Sequence, residues 1–470
     1  MPTAAGLARA IRLPHATALV VGTIIGASIF VQPSEVTGQV PSIPGVFAVW
    51  LISGALTLCG ALVCAELASK FMRSGGLYVY LSEAFSPAVG FLWGWAMFWV
   101  VHSGVIAAVA VVFARYVGYF LPLGTTGIRL VAILVILALS AINCLGVRYG
   151  SRLQAWFTLG KLLAIALIVL LAFTLGARLP QHFQIAPGGP ESAVPSSSRA
   201  LAGSLTAAGS ASAGDPRVTF PGFIQALVAG LFAFGGWYMV TYSSDETVDP
   251  RRTIPRALVW GTAIVTLAYL ALNAAYLYIL PLQTVATSTR VAADAADALL
   301  GFGGGAFLSG LVIFSTFGAL SGIILAGPRV YWAMAHDGLA FGWLGRTHPR
   351  FRTPARALAL QAAWASVLAA TGTYRALFSR VIYTEWLFLA SLGIGVLVLR
   401  RRQDDTAAGR SLSGPVVPIL FAAVSVFIVI NHMAAHLRDA AFGLTLVLLG
   451  LPVYFLRVRG RRACGAPRSP

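Results

Sequence analysis

Charge is what this chain has least of. Only 10% of its 470 residues are Asp, Glu, Lys or Arg, against about 25% in soluble domains. So few ionic groups exclude a soluble globular protein and leave an integral membrane one. Cysteine is also scarce: Cys59, Cys64, Cys144 and Cys464 are scattered, with no disulfide framework and no metal spacing. The seven histidines (His15, His102, His182, His336, His348, His432 and His436) supply no nucleophile–base or metal constellation. His432 and His436 are four apart but lack a third ligand nearby. An intramembrane enzyme is therefore not expected, and neither is a metal or cofactor.

What the chain does have is apolar length. Hydrophobic residues make up 58% of it and the mean hydropathy is +0.82. About twelve stretches are long enough to cross a hydrocarbon core of about 30 Å as helices. They fall near 14–40, 44–68, 87–120, 127–146, 152–176, 221–246, 255–280, 303–336, 356–373, 378–400, 414–435 and 440–457. The first lacks a signal-type cleavage site and is kept as a true span.

The net charge of +18 is an orientation signal. With the N-terminus inside and twelve spans, 22 of the 33 Lys and Arg fall on the cytoplasmic side and nine outside. That is the positive-inside pattern, with both termini cytoplasmic in an inner or cell membrane. It is not a nucleic-acid footprint.

Two spans carry glycine interruptions. The first reads Gly22-Thr23-Ile24-Ile25-Gly26-Ala27-Ser28-Ile29-Phe30, and the sixth Leu231-Phe232-Ala233-Phe234-Gly235-Gly236-Trp237. Broken helices expose backbone groups that lipid cannot satisfy. Such breaks at corresponding places in two halves of a chain mark a transporter binding site. The competing reading is that Gly22 and Gly26, four apart, form a small-residue packing face between straight helices. Residues 71–80, with Gly75, Gly76, Tyr78 and Tyr80, are expected as a short helix at the cytoplasmic interface. Trp93, Trp95 and Trp99 are read as an interfacial belt with helix packing, and His102 as structural or as a titrating group.

These pieces, taken in order, resemble the amino acid–polyamine–organocation transporters, and most of all the L-type amino acid transporters and their bacterial relatives. The likeness rests on the Gly22–Phe30 stretch and on Phe232–Trp237 followed by Asp245-Glu246-Thr247-Val248-Asp249-Pro250-Arg251-Arg252. It extends to Ser315-Thr316-Phe317-Gly318-Ala319, Arg329, Ala335-His336-Asp337-Gly338-Leu339 and His348-Pro349-Arg350. Gly75-Gly76 and Lys161 complete the set. The resemblance implies an all-α LeuT-type fold of twelve transmembrane helices, as two inverted five-helix repeats (14–176 and 221–400) and two extra helices (401–457). A flexible external loop (177–220) and a basic cytoplasmic tail (458–470) complete the layout. It also implies alternating access. Where the family usually has glycine this chain has Ser28, which narrows the floor of the site.

A zwitterionic amino acid suits such breaks. Free N–H groups at Gly26, Ala27 and Ser28 suit its carboxylate. The carbonyls of Ile24, Phe232, Ala233 and Gly235 suit its ammonium. By resemblance Phe232 is the aromatic lid; Trp237 lines the pocket or packs the core. Lys161 lies well inside the fifth span, where a charge costs about 2.5–3.5 kcal/mol. In the resembling family a lysine here takes the place of sodium and bridges the first span to the fifth; snorkelling to the interface is the alternative. Glu385 serves a cationic substrate or a proton, or pairs with Arg380 or faces the external vestibule, and the last two are expected. Glu66, Asp245 and Glu246 are expected to pair with Lys and Arg and close the inner gate.

The resulting expectation is a sodium-independent secondary transporter of neutral L-amino acids, by exchange or proton-linked uptake. The alternative is a cationic amino acid or polyamine exchanger. Animal L-type relatives join a glycoprotein subunit through a cysteine between the third and fourth spans; residues 121–127 contain none, so no disulfide-linked subunit is expected.

Overall fold

The computed structural model describes residues 11–26, 28–144, 147–176, 218–301, 303–351, 353–372, 374–402, 414–435 and 437–463. Ala27, His436, the loop 177–220 except for 218–220, and most of the 458–470 tail lie outside the described residues. Among those described, regular structure is helical apart from one parallel bridge between Ile11 and Thr247. In chain order the helices are α1 (Leu13–Ile24), α2 (Gln32–Gln39), α3 (Ile43–Lys70), α4 (Leu77–Ala84), α5 (Pro87–Ala96) and α6 (His102–Val117). Then come α7 (Thr125–Cys144), α8 (Val147–Leu175), α9 (Phe220–Ala233), α10 (Pro250–Ile279), α11 (Leu282–Thr287), α12 (Val291–Leu300) and α13 (Gly304–Ala326). The last six are α14 (Pro328–His336), α15 (Ala355–Thr371), α16 (Tyr374–Arg402), α17 (Val416–Ala435), α18 (Leu437–Leu448) and α19 (Gly450–Ala463).

Several helix starts are written in the same local code. Ser42, Ser86 and Thr219 each accept a hydrogen bond from the N–H three residues on, and a proline follows at the first or second helical position. The hydroxyl satisfies an otherwise orphaned donor, and proline has no N–H to lose there. Among the described residues, seven helical stretches are long and apolar enough to cross a membrane, including α3, α7, α10 and the runs Pro87–Val117 and Gly304–His336. Three of the twelve expected spans are interrupted or short among the described residues. The first expected span is cut after Ile24, the last is cut between Leu448 and Gly450, and α15 has only 17 residues. Exposed Leu130, Leu134, Leu163, Leu170 and Leu267 give α7, α8 and α10 an apolar outer face, the surface a lipid solvent calls for.

We call the end that holds Ile11, Lys70, Asp337 and Arg400 the basic end. Near it, Gly75 and Gly76 both adopt positive φ (121° and 52°), a region nearly reserved for glycine. A side chain at Gly76 would run into Thr241 and Tyr242. That turn sends α4 inward, so Tyr78 and Tyr80 are buried rather than lying at an interface. Trp93 also departs from the belt reading: it is fully buried, its ring meeting Tyr238 and Phe388 edge-on. Trp95 and Trp99 stay half-buried; Trp95 donates to the Leu446 carbonyl and Trp99 stacks edge-on with Trp364. Between α5 and α6 the helix widens into a π turn, Met97–Val101. His102 follows it, buried, with Nε2 2.7 Å from the Ile323 carbonyl, and so ties α6 to α13.

A site built from two broken helices

The α1 helix stops because its hydrogen-bond ladder stops. The N–H of Ile25 still reaches the Val21 carbonyl, but the N–H of Gly26 bonds back to Ile24 (2.8 Å), which no α-helix does. A 3₁₀ turn, Ser28–Phe30, and then α2 resume the course. At its other break the chain ends α9 at Ala233, closes Gly235 N–H onto the Phe232 carbonyl (3.0 Å) and passes Gly236 at φ 96°. From Trp237 to Glu246 it runs as a 3₁₀ helix kinked at Ser243.

The two breaks touch. Thr23 donates to the Gly236 carbonyl (3.2 Å) as well as back to Leu19 and Val20. A Cβ at Gly236 would press on the Thr23 backbone. The Tyr269 hydroxyl of α10 lies 3.1 Å from the Ile24 carbonyl and 3.0 Å from that of Ala233, one from each broken helix. Behind it, the Tyr269 ring packs edge-on against Trp50 and Phe234. Tyr269 and Thr23 are the residues that sequence reasoning missed. A tyrosine in an apolar span carries no compositional signal, and a span threonine usually bonds its own helix.

Lys161 is 1% exposed, and its ammonium donates to the carbonyls of Gly22 (3.1 Å) and Ile25 (2.9 Å). These are two of the acceptors that the end of α1 leaves without helical donors. The glycines divide the two readings between them. Gly22 packs: a Cβ there would collide with Thr158 and Gln154 of α8, and Thr158 donates to the Ala18 carbonyl. Gly26 sits at the break, with α13 at Ala319 near enough for ordinary contact with an added Cβ.

Each remaining site residue that the structure describes has a definite place. Ile24, Ser28, Phe232 and Ala233 are buried around the breaks, with Gly235 half-buried beside them. The Phe232 and Ala233 carbonyls already hold hydrogen bonds, from Gly235 N–H and Tyr269. Trp237 packs against Gly60 of α3 and, across it, Phe421 of α17. Ala27 lies outside the described residues. Glu385 is not open to water: it is 4% exposed, and its carboxyl meets the Tyr238 hydroxyl on the basic side of the second break.

The basic end is closed by pairs. Arg329 bonds both Glu246 oxygens (3.2 and 3.1 Å) and the Leu325 carbonyl. Arg400 bonds both Glu66 oxygens (2.9 and 2.6 Å). Asp337 accepts from Tyr78 (2.6 Å) and Arg73 (3.3 Å). Asp245 departs from the expectation of a basic partner. Its carboxylate and N–H exchange hydrogen bonds with the N–H and hydroxyl of Ser74, because the Gly75–Gly76 turn brings that serine against it. Ile11 adds backbone bonds to Glu246 and Val248. Among the described residues no group of three His, Cys, Asp or Glu is arranged to hold a metal.

A model of the amino acid permease family matches residues 11–450. The chain belongs to that family. Among its relatives, the serine/threonine exchanger SteT of Bacillus subtilis (strain 168) is 31% identical over 454 residues, 96% of this chain and 97% of that protein. The human large neutral amino acids transporter small subunit 2 is 30% identical, covering 96% of this permease and 81% of the relative. The human Asc-type amino acid transporter 1 is likewise 30% identical, with 96% and 83% covered. This permease is thus similar along almost its full length to transporters of amino acids, and its paired breaks lie inside the matched region.

Proposed function

We propose that this permease is a sodium-independent exchanger of neutral L-amino acids working by alternating access. The observation that carries the reading is the junction of the two broken helices, where the backbone carbonyls of Ile24, Ala233 and Gly236 meet the hydroxyls of Tyr269 and Thr23. A free amino acid brings an ammonium and a carboxylate into a buried place and needs partners for both. The ends of two broken helices supply them without a fixed side-chain charge, the positive N-terminal end of the 28–30 turn for the carboxylate and the α1 and α9 carbonyls for the ammonium. Gly26, Ala27, Ser28 and Ile24 are the proposed contacts on one side, and Phe232, Ala233 and Gly235 on the other, with Phe232 as the lid. Sodium is dispensable because Lys161 already places a cation on the carbonyls of the first break.

Twelve spans in a LeuT-type arrangement of two five-helix repeats and two further helices accommodate the described helices. The basic end then faces the cytoplasm of a cell membrane, its ion pairs closing the inner gate. No enzymatic step and no disulfide-linked subunit enters this reading. Serine, threonine and larger neutral amino acids are the first candidates, from the names of the relatives. The test is counterflow. Purified protein in liposomes loaded with unlabelled L-serine should accumulate labelled L-serine equally well in sodium and choline buffers. Absence of counterflow with serine, threonine, alanine and leucine would sink the proposal, and competition by arginine above that by leucine would favour a cationic exchanger.

A further inference from the structure

Glu385 is a buried acid that the exchange reading does not use. It sits on α16, with Phe388 one turn on packed against the ring of Trp93. From the 237–246 helix it faces the phenols of Tyr238 and Tyr242. Trp93 of α5 and Tyr331 of α14 face Tyr242, and the π turn brings Met97 Sδ to 4.0 Å from its hydroxyl. From α3, Cys64 stands beside the same two phenols, and Tyr80 of α4 faces Cys64. The α6 helix offers His102, which is held by the Ile323 carbonyl. Among the described side chains, α9, α17 and α18 add no acid or base at this depth. Arg400 on the same helix is committed to Glu66, and Arg329 to Glu246.

A carboxylate in such a place has no cation to balance it among the described residues. Burying an ion without a counter-charge is costly enough that the group takes a proton instead. The Tyr238 phenol can bond a neutral carboxylic acid, which both donates and accepts. Both phenols belong to the helix that runs from the second break to Glu246, the residue locked by Arg329. Any movement that opens the basic end by withdrawing that helix strips Glu385 of Tyr238 and Tyr242 and admits water.

We infer that Glu385 is a proton-binding site linked to the basic-end gate, protonated while the gate is closed and ionised when it opens. An O–H bond on the carboxyl forms with a proton from water as the gate closes, and breaks by returning that proton to water as it opens. No oxidant or other reactant is involved. By linkage, acid on the basic side favours the closed form. The inference rests on the transporter reading only for its consequence, pH-dependent exchange; the protonation itself can be read directly.

The experiment pairs two readouts on the full-length protein. Infrared spectra of wild type and Glu385→Gln at neutral pH should differ by one protonated-carboxyl C=O band, present only in wild type. L-serine counterflow should change about threefold or more between about pH 5.5 and 8 in wild type, stay flat in Glu385→Gln and regain its slope in Glu385→Asp. Tyr238→Phe, which keeps the acid, should shift the midpoint of the profile, and it serves if Glu385→Gln does not fold. A missing carboxyl band, or an unshifted profile in the variants, overturns the inference. So does labelled L-arginine entering through wild type and not through Glu385→Gln, which would make the carboxylate a substrate counter-charge. Loss of counterflow in wild type would instead defeat the exchanger reading, with the infrared band still deciding the state of the acid.

Discussion

Replacing Lys161 with alanine removes two charge-assisted hydrogen bonds, to Gly22 and Ile25. Each is worth about 1.5–3 kcal/mol. The change also removes the cost of burying the ammonium, which offsets part of that, so the net penalty on the ordered break is about 2–4 kcal/mol. At 1.4 kcal/mol per factor of ten, the population with the break correctly formed falls about 30- to 700-fold. Global stability of about 5–15 kcal/mol leaves room for the variant to fold. Because Lys161 touches the break and no acidic partner, the loss should fall on transport rather than on insertion. Counterflow by Lys161→Ala in liposomes, normalised to monodisperse protein, should therefore be near background. Lys161→Arg, which keeps the charge with a bulkier head, should recover only part of it. Counterflow by Lys161→Ala within threefold of wild type would refute the argument that this ammonium organises the break.

Tyr269→Phe keeps the aromatic packing and removes one hydroxyl shared by two buried carbonyls; a loss of about 1–3 kcal/mol predicts serine affinity weaker by about 5- to 150-fold, measured by binding to purified protein. Gly236→Ala forces a Cβ onto a left-handed residue, at about 1–2 kcal/mol, and against the Thr23 backbone, so uptake should fall while expression persists. Arg329→Ala strands a buried Glu246 and should cost about 3–5 kcal/mol, more than the Arg329→Ala/Glu246→Ala pair, as thermal unfolding in detergent would show. Ser28→Gly should widen the site, so that leucine and phenylalanine compete better against serine uptake than they do in wild type.

Both breaks were legible in the sequence because glycine is conspicuous in an apolar run, and Lys161 because a charge inside a span is rarer still. The same letters could not say which glycine breaks and which packs. That was decided by α8, whose Gln154 and Thr158 crowd Gly22 while Gly26 stays clear of them. Tyr269 was hidden among 14 tyrosines, since only the third dimension distinguishes a hydroxyl aimed at two helix ends from one at a membrane surface. The depth of Glu385 was not legible because its burial comes from neighbours on other helices, Tyr238 among them. Trp93 shows only the packing half of its reading: tryptophan's amphipathic ring is common at interfaces, but α5 turns this one inward onto Tyr238.

A hydroxyl carries one hydrogen, and Tyr269 has two carbonyls within reach of it, at 3.1 and 3.0 Å. The Ile24 carbonyl is already served by the Gly26 N–H (2.8 Å), so when the hydrogen points there it is the Ala233 carbonyl, at the end of α9, that is short of a donor. In the proposed site, an amine arriving between the broken helices takes the Ala233 carbonyl without evicting anything. The phenol need only rotate its hydrogen to the opposite carbonyl. Capture and release then differ by the swing of one O–H bond, a small barrier well suited to a carrier that must let go of its cargo as readily as it takes it.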